Sequence, residues 1–268
     1  MADTLETQRP HKGAASYYSR FRPPYPPALA RVLRDRVGLD GNGRLLDLGC
    51  GPGSVAIPLA PLFDEAVAVD PEPDMLEEGR AAAARAGITN IRWIRGSSED
   101  LSSSLGNFLL ATLGESFHWM DRQRTLDALY ELISDRGGIA IVGRGLPLPL
   151  PPMTPWRAAV AGVIRSYVGD RPLPWDHQPP PPDQLHHAFI RRSRFTGLVK
   201  YQEEFDVEWT VQSLIGNLYS MSFCNRDRLG ERAPAFERDL ENAILEVEPS
   251  GVLRGETHQF FAYIAFKR

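Results

Sequence analysis

The sequence has few cysteines, no excess of basic residues and no long apolar run, and each shortage excludes a class of protein. Two cysteines, Cys50 and Cys224, provide neither a disulfide framework nor a paired-cysteine metal site. The net charge is -4, without the basic cluster that nucleic-acid binding needs. No apolar segment approaches the roughly 18 residues that span a bilayer, and the first residues are too polar for a secretory leader. We therefore expect a cytoplasmic protein with no nucleic-acid or membrane partner.

Short apolar runs alternate with amphipathic segments along much of the chain, a pattern typical of β-α-β units and a parallel sheet. The predicted strands are residues 44–48, 65–70, 91–94, 108–113, 138–142, 198–205 and 259–266. The predicted helices are residues 27–37, 54–62, 73–86, 121–133 and 156–168, with a largely helical stretch before the last strand. The sequence therefore predicts an α/β fold with a Rossmann-like, doubly wound, seven-stranded sheet that ends in an antiparallel pair.

Two proline-dense stretches, 146–155 and 172–182, lie on either side of the helix predicted at 156–168. Proline prevents regular structure and stiffens the chain, so the stretches are either rigid linkers or parts of a cap over a pocket. We favour the cap, because long loops in compact domains are usually functional or disordered. The predicted domains are an N-terminal helical segment at 1–40, an α/β core at 41–145, a helical and proline-rich cap at 146–196, and the rest of the core at 197–268 with a helical insertion at 210–250.

The most specific motif follows the first predicted strand, where an acidic residue precedes three closely spaced glycines. The run is Asp47, Leu48, Gly49, Cys50, Gly51, Pro52 and Gly53. Glycine lets the backbone turn sharply and approach a ligand closely. A nicotinamide or flavin site needs Gly-x-Gly-x-x-Gly, but Ser54 stands at the third position here. An acid before the first glycine would also lie badly beside a pyrophosphate. Both features disfavour an NAD(P)-dependent oxidoreductase.

This run resembles the first motif of class I S-adenosylmethionine-dependent methyltransferases, acidic-x-Gly-x-Gly-x-Gly. The resemblance implies that S-adenosyl-L-methionine is the cofactor. It also implies that Gly49, Cys50, Gly51 and Gly53 hold the methionine part of the cofactor, with Asp47 near its cationic end.

Asp70 ends the second predicted strand about 20 residues beyond the glycines, where a carboxylate can accept both ribose hydroxyls. We assign Asp70 and the following Pro71 to the cofactor. Met75 lies on the next predicted helix and could pack on the adenine face, although a core position would give the same pattern.

The segment 96–101 resembles the Gly-Asp-Ala-Glu-Asp-Leu segment of the family, which binds the adenine edge. Serines replace the Asp-Ala pair here. Backbone groups can still hold the adenine ring, but the sequence does not determine whether a side chain contacts its exocyclic amine. We assign Ser97, Ser98 and Glu99 to the cofactor.

The fourth predicted strand leads into Gly114, Ser116, Phe117, His118 and Trp119, at the edge where α/β sheets bind ligands. Small-molecule methyltransferases of the type 11 group, which this segment resembles, often carry His or His-Trp here. We assign Gly114 and Ser116 to the cofactor and Phe117 and Trp119 to the substrate, although core positions would explain these two aromatic residues as well. His118 is either a general base or a structural residue of the loop, and its ordinary pKa suits a base.

The N-terminal segment resembles a Tyr-x-x-x-Arg-Pro-x-Tyr-Pro stretch that crosses the cofactor pocket in many small-molecule methyltransferases. We assign Tyr18, Arg22 and Tyr25 to the cofactor and Tyr17 to the substrate. Aromatic faces attract cations, which suits a sulfonium. The alternative is a proline-rich lead into the helix predicted at 27–37.

Asp176, His177, His186 and His187 lie in the predicted cap. Adjacent side chains such as those of His186 and His187 point in different directions and do not converge on one ion, so we predict no metal site. We assign His187 to the substrate. We also assign Tyr219 to the substrate, in a helical segment predicted to form one pocket wall, although core packing would look the same.

These motifs predict that the chain, as a monomer or homo-oligomer, transfers a methyl group from S-adenosylmethionine to a small molecule of natural-product or secondary metabolism. The displaced thioether is neutral, so the reaction needs orientation, plus a base only where the nucleophile must lose a proton. Two alternatives stay open: a methyltransferase that acts on protein or RNA, and a module that binds the cofactor without catalysis.

Overall fold

The computed structural model describes residues 12–145, 153–169, 173 and 181–268. The chain divides into two compact units. Unit 1 comprises Met1–Pro23, Leu146–Pro179 and Glu204–His258, and unit 2 comprises Pro24–Gly145, Pro180–Glu203 and Gln259–Arg268.

The seven predicted strands form one sheet, in the order β3-β2-β1-β4-β5-β7-β6. The strands are β1 Arg44–Leu48, β2 Glu65–Asp70, β3 Ile91–Arg95, β4 Phe108–Gly114, β5 Ile133–Gly145, β6 Thr196–Thr210 and β7 Val252–Phe266. Strands β1 to β5 pair in parallel, and β7 pairs with β5 in the antiparallel direction. The predicted fold class is confirmed.

The central strands are buried on both faces, which explains why they read as continuous apolar runs rather than as an alternation. Leu45, Leu46 and Leu48 of β1 are at most 1% exposed, as are the two alanines and the valine at positions 66 to 68 of β2. The main apolar cluster of unit 2 joins Leu46, Leu48 and Val67 with side chains of β4, β5 and the helices beside them.

The helices of unit 2 are α2 Ala28–Val37, α3 Ala56–Leu59, α4 Pro73–Arg85, α5 Arg122–Leu132 and α7 His186–Arg192. The helix predicted at 54–62 is an α-helical turn followed by a 3₁₀ turn at Ala60–Leu62. Pro58 and Pro61 have no N–H to donate, so a continuous ladder of hydrogen bonds cannot form. Helix α4 begins with Pro73 at its first position, as predicted.

The helices of unit 1 are α1 Ala15–Phe21, α6 Pro155–Val168, α8 Val211–Tyr219, α9 Arg226–Leu229 and α10 Ala233–Val247. Their apolar faces form a cluster that includes Ile164, Tyr219, Phe236 and Leu240, all at most 1% exposed. The contacts thus group the N-terminal helix α1 and the predicted cap helix α6 with the predicted 210–250 insertion. The predicted domain boundaries themselves stay a prediction.

Strands β5, β6 and β7 are longer than predicted. The alternation of half-buried and exposed residues in β6 continues through Trp209, well beyond the predicted end at residue 205. Residues 204–210 of β6 and 252–258 of β7 belong to unit 1. The glycines and charged residues at both ends of β5 concealed its length in the sequence.

Some predicted features fall outside the described residues, namely most of both proline-dense stretches, together with Asp176 and His177. Within the described ranges, no helix is long and apolar enough to cross a membrane. In the same ranges, no group of three or more His, Cys, Asp or Glu residues could hold a metal ion.

Candidate active site

The turn after β1 requires glycine for two different reasons. Gly49, Gly51 and Gly53 all have positive φ, at 69°, 53° and 83°. A Cβ at Gly49 would lie 2.4 Å from Ser116 Cβ, and one at Gly53 would lie 2.7 Å from Trp93 Cη2, whereas one at Gly51 would meet nothing within 4 Å. The outer glycines therefore permit close packing, and Gly51 borders open space.

Alanine substitutions at Gly49 and Gly51 distinguish the requirement for a positive φ from the requirement for close packing. Gly49→Ala and Gly51→Ala both place an L-residue in the left-handed region, which costs about 1 kcal/mol. Only Gly49→Ala also displaces Ser116, so we expect urea denaturation to give a loss of stability larger by roughly 1–3 kcal/mol for Gly49→Ala. Equal losses in the two variants would contradict the packing role of Gly49.

Asp47 lies beneath the glycine turn and is fully buried. Its carboxylate accepts hydrogen bonds from the Thr112 hydroxyl at 2.7 Å and from the Ala56 N–H at 3.0 Å. The removal of water raises the pKa of this carboxyl to about 7. Asp47 thus links β1 to β4 and to the start of α3, which is a structural role. Its proximity to the cofactor stays a prediction.

We expect Asp47→Asn to flatten the pH dependence of stability. The folded protein holds the Asp47 proton up to about pH 7, whereas the unfolded chain releases it near the ordinary aspartate pKa of 3.8, so stability falls as pH rises between these values. Asparagine keeps an acceptor for Ala56 and a partner for Thr112 without the charge. Urea denaturation at pH 5 and 7.5 should show a decline smaller by roughly 2–3 kcal/mol than in the wild type. The exposed substitution Asp127→Asn is the control, and an unchanged decline in Asp47→Asn would contradict the expectation.

Asp70 fastens the glycine turn to the end of β2. One carboxylate oxygen accepts the N–H of Gly51 at 2.8 Å and the other accepts the N–H of Glu72 at 2.9 Å. The side chain is only 8% exposed, and burial raises its pKa. Each oxygen keeps a lone pair for a further donor, so the carboxylate can accept two hydroxyl groups. Pro71 beside it is exposed, whereas Met75 is 3% exposed and packed in the core.

The serine segment lies directly after β3, where the Gly96 N–H donates to the main-chain oxygen of Asp70. Ser97 donates its N–H and its hydroxyl to Asp100 at 2.7 and 2.9 Å, and the Ser98 hydroxyl donates to Glu99 at 3.0 Å. The nearby serine hydroxyls, that of Ser97 first and that of Ser98 as well, lower the pKa of the exposed Glu99. The segment is therefore held in shape by its own side chains.

The loop after β4 lies against the glycine turn. The Ser116 hydroxyl donates to the main-chain oxygen of Leu48 at 2.7 Å, and Phe117 is 1% exposed in the core. His118 and Trp119 are exposed, with Trp119 at 56%. Because the surrounding protein removes part of the hydration of His118, its pKa is lowered. Phe117 thus has a core position, and His118 and Trp119 are the accessible side chains of this loop.

His186 lies beside His118, whereas its neighbour His187, which we assign to the substrate, packs elsewhere. The two rings are 6.5 Å apart with planes inclined by 20°, whereas His187 packs on Tyr263 at 5.4 Å. Burial, Arg122 and the neighbouring histidines lower the pKa of His186 to about 4. The prediction that the two adjacent side chains point apart agrees with these contacts, but the sequence had no signal for which of them lies near His118.

Tyr25 lies where β4 and β5 end. A Cβ at Gly114 would be 3.3 Å from the Tyr25 hydroxyl oxygen and 2.6 Å from Val55. The Arg144 guanidinium lies over the Tyr25 ring, 4.3 Å from its centroid. Sequence reasoning missed Arg144 because it ended the fifth strand at residue 142.

The other N-terminal candidates lie in unit 1. Tyr17 contacts Tyr219 edge to face at 5.1 Å, and the Arg22 guanidinium lies 5.0 Å above the Tyr18 ring. Tyr219 is 1% exposed, donates its hydroxyl to Glu237 at 2.8 Å, and has a raised pKa because of burial. These are the contacts of a core residue, and the substrate assignments of Tyr17 and Tyr219 stay predictions.

Comparisons with known proteins agree with this arrangement. A family model described as a methyltransferase domain matches residues 45–137. A Saccharomyces cerevisiae protein named as an S-adenosylmethionine-dependent methyltransferase is 26% identical over 129 residues, which are 47% of this chain and 44% of that protein. The match thus spans less than half of the yeast relative. A Mycobacterium bovis methyltransferase of unassigned substrate is 28% identical over 211 residues, or 79% of this chain and 76% of that protein.

A solved structure of a candidate type II methyltransferase from Anaeromyxobacter dehalogenans has the same fold. The superposition covers 92% of this chain and 98% of that one, with a TM-score of 0.57 and 21% identity. The matched domain, residues 45–137, contains the glycine turn, Asp70, the serine segment and the loop with His118. Residues 45–137 therefore match the methyltransferase-domain family, and the chain has the fold of class I S-adenosylmethionine-dependent methyltransferases.

Proposed function

We propose that the protein transfers a methyl group from S-adenosylmethionine to a small-molecule acceptor, in natural-product or secondary metabolism. One observation carries the proposal: an exposed imidazole and an exposed indole, His118 and Trp119, lie two and three residues after Ser116, which packs against the glycine turn. An exposed aromatic side chain beside a cofactor turn suits a small organic acceptor, for which it provides an apolar contact.

The residues around the turn fit the cofactor. Gly51 borders open space, and the two Asp70 oxygens each retain the capacity to accept a ribose hydroxyl. We assign the adenine edge to Ser97, Ser98 and Glu99, which are held in shape beside Asp70. When bound, S-adenosylmethionine supplies an electrophilic methyl group and a neutral leaving group. The protein contributes the orientation of the acceptor and, at His118, a base.

His118 suits the role of proton acceptor. Its lowered pKa keeps the imidazole neutral near pH 7, and only the neutral ring can take a proton. The positive charge of Arg122 works in the same direction, whereas the negative charge of Glu115 opposes it. A neutral ring is also not repelled by a sulfonium.

The charge distribution favours a small molecule over a nucleic acid. The chain is acidic overall and has no basic stripe, whereas backbone phosphates require clustered Lys and Arg. A protein acceptor and a cofactor-binding module without activity are the alternatives, and cytoplasmic location and oligomeric state stay predictions.

Labelling of cell extract with methyl-tritiated S-adenosylmethionine tests the proposal. The purified protein should transfer label to compounds that pass a small-pore filter, and an Asp70→Ala variant should not. Label retained with protein or RNA would identify a macromolecular acceptor instead. Cofactor binding without transfer to any fraction would favour the non-catalytic module.

A further inference from the structure

Arg144 in β5 is a charged side chain whose partner is absent from the described part of the chain. It is half-buried, and its Nη1 is shielded from solvent and has no hydrogen-bond acceptor among the described residues. Within the described residues no carboxylate lies close enough to form an ion pair with its guanidinium. Because a shielded N–H donor that loses its water partner is unfavourable, this atom requires an explanation.

Among the described residues, two other arginines that stack on rings have carboxylate partners, and the remaining four donate to main-chain oxygens. Arg44 lies 4.7 Å above the ring of Phe108 and pairs with Glu65 at 2.7 Å. Arg194 lies 3.8 Å above the ring of Tyr130 and pairs with Glu131. Arg144 has the stacking contact with Tyr25, but no described residue provides it with a carboxylate partner. The ring fixes the plane of the guanidinium and leaves its N–H donors to be bound by something else.

Glu115 is an acidic residue that contacts Arg144, but it bonds to the backbone of Arg144. Glu115 Oε1 accepts the main-chain N–H of Arg144 at 2.7 Å. This bond holds the strand end in place, and no described residue provides a counter-ion for the guanidinium of Arg144.

Arg144 also lies at the edge of the sheet where ligands bind. Val142 pairs with Gly114 in the last row that joins β5 to β4, so Arg144 lies two residues beyond the end of β4 and on the same face as Val142, while its backbone pairs with Phe260 of β7. The Val142 side chain is 3.6 Å from the position of a Cβ at Gly114, and that position is 3.3 Å from the Tyr25 hydroxyl oxygen. The carboxyl edge of parallel strands is the common ligand site of α/β folds.

We propose that Arg144 binds a ligand carboxylate at this edge of the sheet. A planar guanidinium can donate two parallel N–H bonds to a carboxylate, and the tyrosine below it holds the fork in position. Two ligands can supply the group: the amino-acid end of the cofactor, or an acceptor that carries a carboxylate. The second source rests on the proposed function, whereas the first does not.

Calorimetric titration distinguishes the sources without any measurement of turnover. The cofactor arm compares S-adenosylhomocysteine with its decarboxylated analogue. The acceptor arm titrates acetate, benzoate and succinate, each against its amide, into the S-adenosylhomocysteine complex. Both arms use the wild type, Arg144→Met, Arg144→Lys and the control Arg194→Met, which removes a tyrosine-stacked arginine that already has a partner.

If the cofactor supplies the carboxylate, the wild type should bind S-adenosylhomocysteine on the order of 10- to 100-fold more tightly than the analogue. Arg144→Met should remove that preference, Arg144→Lys should keep part of it, and Arg194→Met should keep all of it. If the acceptor supplies the carboxylate, the cofactor titrations should be unchanged and Arg144→Met should remove a preference for acids over amides. Unaltered binding of the decarboxylated analogue shows that each variant is folded.

The proposal is overturned if neither preference depends on Arg144. It is also overturned if Arg194→Met lowers the preferences as much as Arg144→Met does. If S-adenosylhomocysteine still binds but shows no advantage over its decarboxylated analogue, the cofactor is excluded as the source of the carboxylate, and cofactor binding itself is not in question. If the transfer experiment labels macromolecules instead of small compounds, only the small-molecule acceptor is excluded as the source.

Discussion

Asp70→Ala is expected to weaken binding of S-adenosylmethionine by roughly 100-fold or more. A carboxylate that accepts two hydroxyls makes two charge-assisted hydrogen bonds, each worth about 1.5–3 kcal/mol. Alanine removes both and also leaves the Gly51 and Glu72 N–H groups without the acceptor they have now. Calorimetric titration of the variant with S-adenosylmethionine measures the loss.

The control for this experiment is Asp64→Ala. Asp64 accepts the Gly43 N–H at 2.8 Å just before β2 begins, so its removal also deprives a backbone N–H of a carboxylate, but at the opposite end of the strand. We expect Asp64→Ala to bind the cofactor within about twofold of the wild type. If Asp70→Ala is folded and binds normally, the assignment of Asp70 to the ribose is wrong.

The parallel core and its glycine turn could be predicted because their signals are local. Strands buried on both faces have continuous apolar sequences, and a turn with three positive φ angles is populated by glycine. The strand bounds at Arg44–Leu48 and Glu65–Asp70 are as predicted. The position of Asp70 relative to the glycines follows from the length of one β-α-β unit.

The contacts between segments distant in sequence could not be predicted. Gly49 packs on Ser116, which is 67 residues away, and nothing in either segment indicates the other. The choice between His186 and His187 depends on the rotation of a short helix, α7, about its axis. A sequence gives the spacing of residues on a helix, but not which face meets α5 and the loop before it.

The degree to which an individual side chain is buried could not be predicted from the sequence either. The sequence is consistent with Met75 as either an adenine contact or a core residue, and in the structure Met75 is packed at 3% exposure. Arg144 lay beyond the predicted end of β5 because Gly143 and Gly145 interrupt the apolar run there. The pKa values of Asp47 and His118 likewise depend on which atoms surround them, so they follow only from the packed structure.

His118→Gln is expected to lower turnover by roughly 100-fold or more, because general bases contribute 10²- to 10⁴-fold. Cofactor affinity should stay within about twofold of the wild type, because glutamine leaves Ser116 and the glycine turn in place. The measurement is release of S-adenosylhomocysteine with the acceptor found by labelling, together with calorimetric titration of the cofactor.

The pH profile distinguishes a base from a structural residue at position 118. A base must be unprotonated, so wild-type turnover should rise with pH through the lowered pKa of His118 and then level off. His118→Gln should lose this rise. Because the charge of Arg122 helps to lower the pKa of His118, Arg122→Gln should move the rise to higher pH while turnover on the plateau is largely kept. A structural role for His118 would lower turnover equally at all pH values and would leave the Arg122→Gln profile where the wild-type profile lies, since no step would then depend on the charge of the ring.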